Sequence, residues 1–169
     1  NLGVPKNLTH DQVLNSKEDP NTPALRSLGR LRSSHTVPSS TVNVHPDISI
    51  KRFWLTRSDI AHLPQDGLMN NLSQVIFVTY NEVTICIPGD LESLGWDIML
   101  LKPEVQDLLI KTRVFIAPHH GRKNAQNPQI FNYCFPDVVV ISDKSIKHST
   151  QNSWYSQHII GEGVSLVRY

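Results

Sequence analysis

The stretch QVIFVTYNEVTICIPGD, Gln74–Asp90, holds two β-rich runs, Gln74–Tyr80 and Val83–Ile87, on either side of Asn81-Glu82. A two-residue connection between such runs predicts a β-hairpin, although Asn-Glu is a less usual turn than Asn-Gly. The second run ends in Pro88, Gly89 and Asp90, so a strand of apolar residues surfaces at a carboxylate.

Downstream, Leu91, Leu94, Ile98, Leu101, Val105, Leu108 and Leu109 recur at helical spacing. Pro103 falls inside this run and predicts a break into two helices. The expectation continues with strand Val114–Ala117, helix Pro128–Cys134, strand Val138–Ile141, helix Thr150–Ile160 and strand Val164–Val167. Upstream, Ile48 and Ile50 alternate with polar residues before Phe53–Leu55, which predicts another strand. The result is an α/β chain with a mixed sheet and helices packed on it. Unbroken apolar runs such as DVVVIS are expected where a sheet is buried on both faces. Residues 1–48 are rich in Pro, Ser and Thr and read as an irregular connecting segment, with weak helical patterns after Thr9 and in PALRSLGRLRSS. Residues 49–169 read as the structured domain.

The chain has 169 residues, of which 39% are hydrophobic and 18% charged, a balance that favours a globular domain over a disordered segment. Its net charge of +1 gives no global reason to expect nucleic acid or an acidic membrane surface as partner. No apolar run reaches the ~20 residues of a membrane span, and no signal peptide opens the sequence. Cys86 and Cys134 lie outside any CxxC pair and read as buried free thiols, which fits a reducing, cytoplasmic compartment. Trp54, Trp96 and Trp154 read as packing residues. His35, His45, His62 and His158 are scattered and read as surface or loop residues.

Three polar groups follow apolar strands: Gly89-Asp90, His119-His120-Gly121 and Ser142-Asp143. Strand ends converge on one edge of an α/β sheet, where sites are built. A carboxylate and imidazoles meeting there suit zinc, manganese or iron. Taken singly, Gly-Asp reads as an ordinary turn, and Pro-His-His-Gly reads equally as a metal site or a surface turn. Arg122 and Lys123 read either as contacts for an anionic substrate or as an exposed basic turn.

In this order NNLSQVIFVTYNEVTICIPGDLE, LLIKTRVFIAPHHGR and PDVVVISD resemble the C-terminal half of a metallo-β-lactamase-fold hydrolase, with the ComEC-type branch of DNA-uptake competence proteins the nearest in pattern. The resemblance covers about residues 68–169. It implies a four-layer αββα sandwich, incomplete here at its N-terminus, and a metal-dependent hydrolase of phosphodiesterase or nuclease type, holding one or two ions of zinc or manganese. Asp90 then takes the place of a metal-bridging aspartate and His120 that of a metal ligand. His119 and His148 take catalytic or substrate-facing places, with Asn71, Ser73, Arg122, Lys123 and Ser142 at the substrate. Implied substrates are a phosphodiester, DNA included, or another hydrolysable ester or amide. Two features depart from the pattern. Asn70, Asn71 and Ser73 stand where many members carry a histidine, and the family's His-x-His-x-Asp-His signature is missing. His10-Asp11 only brushes against that signature. If the chain is a fragment, the signature lies upstream; if not, a catalytically inactive domain used for interaction or regulation is the alternative.

Overall fold

The computed structural model describes residues 45–64, 67–142 and 152–160. They belong to a unit that begins at His45. Five strands form one mixed sheet in sequence order: β1 (Ile48–Phe53), β2 (Val75–Tyr80), β3 (Val83–Ile87), β4 (Thr112–Ile116) and β5 (Val138–Val140). The first three are antiparallel neighbours, and β3, β4 and β5 run parallel. Four helices accompany them: α1 (Arg57–Ile60), α2 (Ser93–Met99), α3 (Pro103–Ile110) and α4 (Asn152–Ser156).

The hairpin forms where the alternating runs place it. Tyr80 pairs with Val83, and both turn residues have positive φ, +47° at Asn81 and +68° at Glu82. That is the geometry of a two-residue turn whose twist matches the strands. A hydroxyl contact between Thr79 and Thr84, 2.9 Å, ties the strands beside it. Pro103 divides the helical run, sitting in the first turn of α3, where its missing N–H costs nothing. The expected helix Pro128–Cys134 is instead a short 3-10 helix, Pro128–Asn132. The Asn127 side chain caps the tight turn by accepting from the Gln129 N–H. The expected helix Thr150–Ile160 is seen as α4 followed by a turn. The strand expected at Val164–Val167 lies outside the described residues, as does residues 1–44 with its weak helical patterns.

Among the described residues, the fully buried side chains of the strands lie on one face of the sheet. Val75, Phe77, Thr84, Cys86, Phe115 and Val139 point to the helices and form the core with Trp96, Met99, Val105, Leu109 and Tyr155. Aromatic contacts continue it outward: Phe115 lies 6.2 Å from Trp96 and 5.7 Å from Phe131, and Phe131 meets Trp154 and Tyr155. On the other face every strand presents apolar side chains, and none of them is fully buried: Ile48 and Ile50, Ile76 and Val78, Ile85, Val114 and Ile116, and Val138 and Val140. Tyr80, Val83 and Ile87, at 55, 46 and 37% exposure, extend the same row.

Trp54, expected in packing, is 39% exposed, whereas Trp96 is in the core. His158 departs from a surface setting: it stacks on Phe131 at 4.2 Å between ring centroids and approaches Trp154. Cys86 and Cys134 are buried free thiols. Among the described residues no helix is long and apolar enough to cross a membrane.

Candidate metal and oxyanion site

Because β3, β4 and β5 are parallel neighbours, their C-terminal ends share one sheet edge. The chain leaves them through Pro88-Gly89-Asp90, Pro118-His119-His120-Gly121 and Ile141-Ser142. Backbone hydrogen bonds hold the exits together: His119 N–H donates to the Gly89 carbonyl at 3.0 Å, and Ala117 N–H to that of Val140 at 2.8 Å. Gly89 needs its missing Cβ, since φ is +62° and a methyl there would press on Ser73.

His119, His120 and Gly121 all adopt left-handed backbone, with φ of +47°, +58° and +74°. Such torsions cost about 1–2 kcal/mol for each non-glycine residue and persist only where the surroundings impose them. Here the Gly89 carbonyl holds His119, Arg122 N–H donates to the His119 carbonyl, and the Ser142 carbonyl accepts from the His120 ring.

His120 and Asp90 are brought together, with Nε2 and Oδ1 3.8 Å apart. Both side chains are about half exposed. The 2.6 Å contact from His120 Nδ1 to the Ser142 carbonyl fixes the tautomer, because a carbonyl only accepts. In the neutral ring the proton is then on Nδ1 and the Nε2 lone pair lies on the side of Asp90. Ser142 thus enters the site through its backbone.

His119 lies beside this pair but is 8% exposed. Its Nε2 is 3.1 Å from Arg122 Nη1, and its Nδ1 is 3.4 Å from Glu92 Oε1. Burial lowers its pKa; Asp90 and Glu92 oppose this, and Arg122 and His120 add to it. The ring is therefore neutral at pH 7.

The Asn-Asn-x-Ser stretch lies beneath the Asp90 loop. Ser73 Oγ accepts from Asp90 N–H at 3.1 Å, and Asn71 Oδ1 accepts from Glu92 N–H at 3.2 Å. Asn71 is 2% exposed, so its side chain holds the loop from inside. Asn70 Nδ2 and Asn124 Nδ2 each donate to Glu92 Oε1 at 2.7 Å. Lys123 is exposed and Arg122 half-buried. His148 lies outside the described residues. Glu92, Asn70 and Asn124 did not stand out in the sequence as site residues. The one signal was a second carboxylate two positions after Asp90.

Asp90 and His120 are two donors of the kinds that hold zinc or manganese, and the outer hydrogen bond to His120 is of the type that orients ligating imidazoles. Among the described residues no group of three or more His, Cys, Asp or Glu side chains converges, so further ligands would have to come from water, substrate or another segment. Comparisons with protein-family models, with curated proteins and with solved structures return no match to this chain.

Proposed function

We propose that the chain forms the C-terminal part of a metal-dependent hydrolase of metallo-β-lactamase type, acting on a phosphodiester or a related ester. The observation that carries this reading is the Asp90–His120 pair at adjacent parallel strand ends, with His120 Nε2 3.8 Å from the Asp90 carboxylate and Nδ1 held by the Ser142 carbonyl. Asp90 Oδ1 and His120 Nε2 would hold the ion. When bound, zinc or manganese supplies a Lewis acid and lowers the pKa of a water toward ~7. The chain's own residues orient the pair: Ser73 fixes the Asp90 backbone, and the Ser142 carbonyl keeps the His120 proton on Nδ1. Arg122 and Lys123 supply positive charge for an anionic substrate.

The same reading includes the four-layer sandwich. A second sheet, from another segment or chain, covers the apolar face opposite the helices. Twelve apolar side chains in register on five strands support this, because monomers rarely leave so broad an apolar surface open.

In the intact protein, Asp90→Asn and His120→Ala are each expected to weaken zinc and manganese binding without lowering the melting temperature. Titration calorimetry alongside a thermal melt checks this. Unchanged metal stoichiometry in both variants would remove the assignment and leave the alternative, a catalytically inactive domain of the same architecture.

A further inference from the structure

We infer that Glu92 acts through His119 on Arg122, and that the three form a positioning relay for a phosphate oxyanion beside Asp90 and His120. The inference rests on the reading of that pair given above, and it moves His119 from proton transfer to support.

Hydrogen-bond polarity carries the inference. A guanidinium only donates, so His119 Nε2 must accept from Arg122 Nη1 at 3.1 Å. A neutral ring that accepts at Nε2 carries its proton on Nδ1, and that atom faces Glu92 Oε1 at 3.4 Å. Glu92 is held in turn. Asn70 and Asn124 donate to Oε1, and Oε2 lies against Gly67 where a Cβ would collide. The order runs from asparagine amides to carboxylate, to imidazole, to guanidinium; its two ends are hydrogen bonds, and the middle link is a 3.4 Å approach of His119 Nδ1 to the Glu92 carboxylate outside hydrogen-bond geometry. His119, with a side chain 10% exposed, turns Nε2 to Arg122 and Nδ1 to Glu92 and presents neither nitrogen openly to solvent.

The guanidinium keeps spare capacity. Arg122 Nε is buried without a partner, and among the described residues Arg122 has no carboxylate within ion-pair distance. Nε is shut off from solvent and Nη1 is held by His119, so the terminal guanidinium N–H groups that remain, with their uncompensated charge, are the donors for a phosphate oxygen.

Two substitutions at one position separate the roles. In His119→Gln the amide oxygen reaches the place of Nε2 and still accepts from Arg122. In His119→Asn the shorter amide reaches only toward Glu92. Asparagine tolerates left-handed backbone well, so the second variant is not handicapped in folding. Inorganic phosphate is titrated into the metal-free full chain and followed by phosphorus NMR, with a thermal melt of each variant. The expected result is saturable binding by the wild type, retention in His119→Gln, and a loss of about tenfold in His119→Asn at unchanged melting temperature. Equal loss in both variants, no change in either, or no saturable binding by the wild type would overturn the relay. Zinc binding by the wild type is measured separately. Its absence would remove the Asp90–His120 reading, while the phosphate comparison would still decide the relay.

Discussion

His119 and His120 share a left-handed backbone and part company at the side chain. One ring is enclosed between a carboxylate and a guanidinium; the other is half exposed, with its Nε2 toward Asp90. The adjacency in the sequence marked the loop, but it could not assign the two roles, because these depend on Glu92 and Ser142, which come from other loops. The buried thiols are a simpler case at the same scale. Burial pushes Cys86 well above the ordinary thiol range and Cys134 up to about 12. Below the unfolded value near 9.0 both states are protonated, and this contribution to stability is fully present. As the pH rises past 9.0 toward the folded value the unfolded chain ionises first, so stability is lost. Urea midpoints are expected to fall between neutral and alkaline pH, and to fall less in Cys134→Ala than in the wild type. Equal slopes would show that this thiol does not titrate on unfolding.

At the scale of elements, the hairpin turn is formed by residues poorly suited to it. Glu82 holds φ at +68° without the freedom of glycine. Glu82→Gly is expected to stabilise the protein by about 0.5–1 kcal/mol, the left-handed strain less the added chain entropy. Urea denaturation measures it, and a loss of stability would mean that the glutamate side chain contributes more than its backbone costs. The hairpin, the division at Pro103 and the strand exits were legible in the sequence because each rests on local spacing or on a residue with one backbone habit. The 3-10 helix at Pro128–Asn132 was not, since apolar spacing over so few residues does not separate a 3-10 turn from an α-helix. The supporting network of the site was equally hidden. Asn70 meets Glu92 only once the hairpin has folded the chain back, and Asn124 only once the crossover has laid β4 beside β3.

At the scale of the whole molecule, the sheet's two faces have unequal fates. Runs such as DVVVIS suggested burial on both sides, and the described helices cover one. The apolar residues on the other face are present in sequence, but what covers them is not a property of local pattern. Val83 and Val138, 46 and 48% exposed, stand on that face. If a second sheet from elsewhere belongs there, the chain alone is expected to bind an apolar fluorescent dye or to self-associate. The double variant Val83→Lys, Val138→Lys should reduce both while its stability changes by no more than about 0.5 kcal/mol for each site. A wild-type chain that neither binds the dye nor associates would contradict an open face.

The hydrogen bonds of Asn70, Asn71 and Ser73 to the segment Asp90–Glu92 join the two ends of the hairpin. Residues that precede β2 thus clasp those that follow β3, and the excursion becomes a closed ring fastened by side chains. Ser73 holds the Asp90 backbone while Asn70 and Asn71 hold Glu92, so one short stretch steadies both carboxylates, and Asn124 gives Glu92 a further hold. If Asp90 and His120 serve a metal and Arg122 an oxyanion as proposed, closure of this ring keeps both sets of donors in register, and the unbroken hairpin is its latch.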